Sequence, residues 1–174
     1  MSKGGTLILV NGDKGGIGKS TVATVIASDI YRNGHRVMVL ETDAGDAGAN
    51  PDVEPRFIET PGVDVTRMPL EQPNRHTSDT LADLFDLIES ARADYVVANL
   101  PAAASKVLED VGPLFAAAAA EAQVDIRIAY VLDRTASAIA NADALVDGPV
   151  FAAASHAAWV RNGMIASDAE YDRR

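Results

Sequence analysis

The chain contains no cysteine, which excludes disulfides, thiolate metal sites, iron–sulfur clusters and cysteine nucleophiles together. It also lacks any apolar run approaching the roughly 18 residues needed to cross a bilayer. Met1 to Thr6 shows neither the basic start nor the apolar stretch of a secretory leader. The expected location is the cytoplasm, with no membrane partner. Positive charge is scarce too: 15 Lys and Arg stand against 25 Asp and Glu, a formal net charge of -10. Such a surface repels phosphate backbones and anionic headgroups, so direct nucleic-acid binding is disfavoured. Arg173 and Arg174 form the one short basic cluster. His35, His76 and His156 share no spacing that suggests a metal site or a triad.

What is present suits a globular core. Hydrophobic residues make up 48% of the 174 and charged residues 23%, which argues against disorder along most of the length and for a single domain over 1–174. Thr6 to Asn11 (TLILVN) is a short β-branched apolar run that stops at glycines, the pattern of a buried strand. Thr21 to Asn33 has helical spacing closed by Gly34, and Arg36 to Glu41 (RVMVLE) is the next strand. That order makes one βαβ unit, with a parallel pair and a right-handed crossover. The Gly-, Pro- and Asp-rich stretch from Asp43 to Gln72 is expected to loop outward, with Val63 to Met68 as its one strand. Thr80 to Arg92 is a helix and Tyr95 to Leu100 an apolar strand. Ser105 to Gln123 is helical, with one helix ending and another beginning at Gly112 and Pro113. Ile126 to Leu132 is a strand, Ala136 to Val146 a helix ended by Gly148 and Pro149, and His156 to Arg161 a last strand. Ser167 and Glu170 have capping-box spacing, so a helix starts as the chain ends, the mark of a truncated or short C-terminus. Trp159 and the leucines are simplest as core.

The chemistry lies in Asp13-Lys14-Gly15-Gly16-Ile17-Gly18-Lys19-Ser20, which follows a strand and opens a helix. In that context glycines at 15, 16 and 18 let backbone N–H groups approach phosphate oxygens, and the helix N-terminus adds positive partial charge. Lys19 would bridge β- and γ-phosphates and Ser20 would ligate Mg²⁺. The plain alternative is a glycine-rich turn with an incidental Lys-Ser. Asp13 stands where the usual loop begins with glycine.

KGGIGKS at Lys14 to Ser20 resembles the deviant Walker A motif, KGGxGK(S/T), of the ParA/MinD family of dimerising ATPases. The resemblance implies a three-layer P-loop NTPase fold, α/β with a mostly parallel central sheet flanked by helices. It implies ATP and Mg²⁺ as cofactors, held by Lys14, Gly15, Gly16, Ile17, Gly18, Lys19, Ser20 and Thr21. Lys14 would be a signature lysine that reaches across an ATP-sandwiched homodimer to stabilise transition-state charge; otherwise it is a solvated lysine. Glu41-Thr42-Asp43 is similar to the family's Asp-x-Asp, with Asp43 matching the water-positioning, metal-side aspartate; the alternative is a solvated acidic loop with Asp46 and Asp52. A calcium loop from Asp43 to Glu54 is rejected, since Gly45 and Ala47 lack oxygen side chains. Tyr95 to Pro101 occupies the place of the Walker B strand, but Asn99 stands where that family has its metal-side aspartate. An amide can accept a hydrogen bond from a metal-bound water without supplying charge, so hydrolysis is expected to be slow; alternatively Asn99 merely caps the strand. Asn162 resembles the family's adenine-recognising Asn, or is an ordinary turn residue before Gly163.

The expected function is that of a ParA-like ATPase of plasmid partition or conjugative transfer, with a protein partner from that machinery. A metabolic synthetase of the dethiobiotin synthetase or cobyrinic acid amidase type is the alternative, as is a nucleotide-binding interaction module that barely hydrolyses. Absent cysteine excludes the family's iron–sulfur and zinc-clasped branches.

Overall fold

The computed structural model describes residues 5–42, 53–70, 75–102, 104–133 and 135–163. Six strands form one sheet in the order β3-β2-β4-β1-β5-β6, every neighbouring pair parallel. They are β1 (Thr6–Asn11), β2 (Val37–Glu41), β3 (Val63–Arg67), β4 (Tyr95–Asn99), β5 (Asp125–Leu132) and β6 (His156–Arg161). The helices are α1 (Lys19–Arg32), α2 (Thr77–Ser90), α3 (Ala104–Glu121), α4 (Ala136–Val146) and α5 (Pro149–Ala153).

The inner strands are apolar along their whole length because both faces are covered. Leu7 and Leu9 of β1, Met38 and Leu40 of β2, and Val96 and Ala98 of β4 point into a core shared with α2 and α3, to which α4 and α5 add Leu145 and Val150. The alternate residues Ile8, Val10, Val37, Val39 and Val97 face the other way, onto Ala23 and Ala27 of α1. Among the described residues one helix therefore covers one face and four share the other. This is the three-layer P-loop NTPase architecture, and it carries the C-terminal ends of all six strands to one rim. At the opposite rim the Arg36 amide donates to Asp94 Oδ2 at 2.9 Å. That hydrogen bond, helped by the Arg36 guanidinium, holds the Asp94 carboxyl below its usual range.

Four expectations are corrected. Helix α3 does not break at Gly112 and Pro113; it runs unbroken from Ala104 to Glu121 with Pro113 inside. A proline there removes one main-chain hydrogen bond, but Gly112 takes part in a tertiary contact that holds the helix in place. A Cβ on Gly112 would lie 2.4 Å from Pro149 Cγ, so the bare backbone is what lets α5 pack against α3. Helix α5 itself, opened by Pro149 at its first turn, was expected to be only a terminator. The segment after Asp52 does not stay outside: Val53 is fully buried and Phe57 nearly so, both packed in the α1-side core around a short 3-10 turn at Glu54–Arg56. Trp159 is not core: it is 45% exposed, stacked on Phe151 and edge-on to Tyr130, because β6 is an edge strand whose residues are nearly all exposed. Ser167 and Glu170 lie outside the described residues.

Candidate nucleotide site

The loop between β1 and α1 crosses the C-terminal rim at the centre of the sheet, since β1 is flanked by β4 and β5. Gly16 has φ 76° and Gly18 φ 99°, left-handed values that favour glycine. Gly15 is not in that region and has open space around it, so its glycine has no conformational necessity here. At Gly18 a second constraint applies, because a Cβ would come within 2.4 Å of Asn162 Nδ2. Gly18 is also the N-cap of α1, and it offers no side chain to cap the helix. The first N–H groups of α1, including those of Lys19, Ser20 and exposed Thr21, thus have no intrahelical acceptor and present partial positive charge at the loop.

Lys19 is buried, and its ammonium donates to the carbonyl oxygen of Lys14 at 2.9 Å, across the mouth of the loop. Asn162, directly after β6, donates from Nδ2 to the carbonyl of Ile17 at 2.9 Å. The fold thus brings Asn162 against the loop from 145 positions away in the chain, where it braces the loop backbone. Lys14 is exposed, and its Nζ lies 2.9 Å from Oδ2 of Asp133. Asp133 is buried at the end of β5 and also accepts from Thr135 Oγ1 at 3.2 Å.

A second polar group lies beneath the loop. Asn11 Oδ1 accepts from the Gly12 amide at 2.8 Å, and Asn11 Nδ2 donates to Ser105 Oγ at 3.3 Å. Ser105, in the first turn of α3, in turn donates to Asp13 Oδ1. Tyr130 is 1% exposed; burial, and then the Asp13 carboxylate, push its phenol well above the usual range. Asp13 Oδ2 and Tyr130 Oη are buried and outside hydrogen-bonding geometry with any described group. Asp13, at the position where glycine is usual, thus ties the loop to α3.

On the other side of β1, Glu41 and Asn99 end β2 and β4 and are cross-strand partners. Asn99 Nδ2 donates to Glu41 Oε1 at 2.7 Å and the Val53 amide donates to Oε2 at 2.9 Å. Asn99 Oδ1 is buried and has no hydrogen-bond partner among the described residues. Asp43 lies outside the described residues.

These residues suit a magnesium–triphosphate. Loop amides and Lys19 would form the phosphate cradle, the Ser20 hydroxyl sits in the first turn of α1, and the amide oxygen of Asn99 would accept from a metal-bound water. Among the described residues no cluster of three His, Cys, Asp or Glu could hold a metal by protein ligands alone, the usual situation for Mg²⁺ held largely by phosphates and water. Sequence reasoning missed Asp133, Ser105 and Tyr130. The only signal for Asp133 was an acidic residue directly after an apolar strand.

The family model for the CobQ/CobB/MinD/ParA nucleotide binding domain matches residues 8–147. A comparison with curated protein sequences gave no match. Among solved structures, a plasmid partition protein from Borrelia burgdorferi superposes with TM-score 0.64 at 13% identity, covering 98% of this chain and 83% of its own. The signal recognition particle receptor FtsY from Elizabethkingia anophelis, in complex with GDP, gives TM-score 0.65 at 16% identity over 98% of this chain. This chain spans 53% of that FtsY chain. The MinC:MinD cell division complex of Aquifex aeolicus gives TM-score 0.55 at 16% identity, over 90% of this chain and 68% of that one. At these identities the likeness shows the fold alone.

Proposed function

Because the chain belongs to the CobQ/CobB/MinD/ParA nucleotide-binding domain family, we propose that it is a ParA-like ATPase that binds Mg-ATP through Lys14 to Thr21, dimerises on doing so and hydrolyses the nucleotide slowly. The observation that carries this reading is the loop itself, where left-handed Gly16 and Gly18 and buried Lys19 meet the uncapped start of α1. When bound, Mg²⁺ would neutralise phosphate charge and orient water. Lys19 would hold the phosphates, Ser20 would reach the metal, and Asp43 would position the attacking water. Lys14 would leave Asp133 to approach the phosphates of a second copy, where a cation stabilises developing charge. Asn99 supplies no charge at the metal side, which is the reason for slow turnover. Plasmid partition or conjugative transfer is the proposed setting, with a protein partner from that machinery and the cytoplasm as the site of action.

A second reading rests on a different observation. An open groove beside the loop, lined by Asp13, Ser105, Lys106, Glu109 and Asn141, could hold a small acceptor, as an ATP-dependent synthetase requires. The signature lysine counts against it, and a substrate-dependent rise in phosphate release would count for it.

Calorimetric titration with Mg-ATP tests the main reading. The wild type is expected to bind and Lys19→Ala to lose at least about 100-fold in affinity, about 2.7 kcal/mol, the scale of a charge-assisted contact. Equal affinity in both would overturn it.

A further inference from the structure

Glu41 and Asn99 are each 2% exposed, and each depends on the chemical identity of the other. The Glu41 carboxylate is an acceptor on both oxygens and takes hydrogens from Asn99 Nδ2 and the Val53 amide. An aspartate at position 99 has no hydrogen to give and would set a second buried anion against the first, a costly arrangement. The amide at the Walker B position therefore fits the carboxylate opposite it. Glu41 also spans the chain: it precedes the Asp43-bearing segment, and Val53, 12 positions on, follows it. Thr42 reinforces the junction by donating to the Asn99 carbonyl at 2.6 Å.

We propose that Asn99 is a positioning residue that, by donating to Glu41, fastens the two ends of the 42–52 segment and makes Glu41 the bearer of the negative charge that position 99 gives up. The clamp follows from the geometry alone; the part concerning charge near magnesium rests on the Mg-ATP reading. The pair is an exchange, with the carboxylate one strand over and the neutral amide in its place. Asn99 keeps one free acceptor, Oδ1, for a metal-bound water.

The test compares wild type, Asn99→Asp, Glu41→Gln and the double exchange Glu41→Gln/Asn99→Asp. In the double, the new amide can donate to the new carboxylate and its oxygen can accept from Val53. The first readout is the thermal midpoint without nucleotide. Asn99→Asp should fall by about 5–10 °C, Glu41→Gln should also fall, and the double should recover most of both losses. Losses that add in the double, or an unshifted Asn99→Asp, overturn the clamp. Should Asn99→Asp fail to fold, a double that folds with a near wild-type midpoint supports the proposal and one that does not overturns it.

The second readout is the ratio of ATP affinities with magnesium and with EDTA, which a merely structural contact would not move. Glu41→Gln should shrink that ratio about 10-fold, roughly 1.4 kcal/mol, and the double, which returns a carboxylate at position 99, should restore it. An unchanged ratio in Glu41→Gln would show that Glu41 does not bear the charge and overturn the exchange. A wild type that binds no Mg-ATP would sink the nucleotide reading, while the thermal comparison would still decide the clamp.

Discussion

Gly18 meets two demands that no other residue type satisfies together. Its φ of 99° lies where side chains strain the backbone, and the space beside it is filled by Asn162. Gly18→Ala is expected to weaken Mg-ATP binding at least about tenfold, because the loop must shift either its dihedrals or its brace. The fold itself should survive, with a midpoint within about 5 °C of wild type, and paired calorimetry and thermal melts check both statements. The turn was legible at this scale: a run of glycines ending in Lys-Ser after a strand marks a tight loop that opens a helix, and Gly16 and Gly18 take the left-handed φ such a loop needs. The partners of those residues were not legible. Lys14 meets Asp133 and Asp13 meets Ser105 across 119 and 92 positions, and only the closing of the sheet decides which distant side chain arrives beside the loop.

The strands were readable because burial on both faces leaves nearly continuous apolar runs, as in Leu7 to Val10 and Val96 to Ala98. Helix α3 was misread because a Gly-Pro pair ends helices by local rules, whereas here a neighbouring element overrides them. That override can be measured. Gly112→Ala would improve local helix propensity, yet the added methyl meets Pro149 Cγ at 2.4 Å. It should therefore destabilise the protein by about 1–3 kcal/mol, the usual cost of overpacking. Removing the obstacle in Gly112→Ala/Pro149→Ala should return part of that loss; chemical denaturation of Gly112→Ala, Pro149→Ala and the double reads the difference, and strictly additive losses would refute the contact. Trp159 was misplaced for a related reason, since an apolar strand pattern cannot reveal that the strand lies at an edge.

At the scale of the whole molecule, six parallel strands and a family match over residues 8–147 make a nucleotide-binding domain, and in the proposed function its assembly would turn on the exposed Lys14. Lys14 pairs with Asp133 within its own chain; the lysine is largely solvated while the carboxylate is buried, so withdrawing Lys14 must be offset by the contact it makes elsewhere. In sedimentation, wild type with Mg-ATP is expected to move toward a dimer and with ADP to stay monomeric. Lys14→Ala should stay monomeric with both, and a nucleotide-independent mass in the wild type would refute the switch. Sedimentation at two salt concentrations would separate the lysine contact from the general repulsion of a chain with net charge -10.

All six strands point the same way, so the glycine loop and the Arg36–Asp94 rim lie at opposite ends of the sheet. Fluorophores, tethers or affinity handles placed at exposed Glu89 would hang from the Arg36–Asp94 rim, remote from the glycine loop. Reporters grafted there should register assembly and turnover without obstructing either.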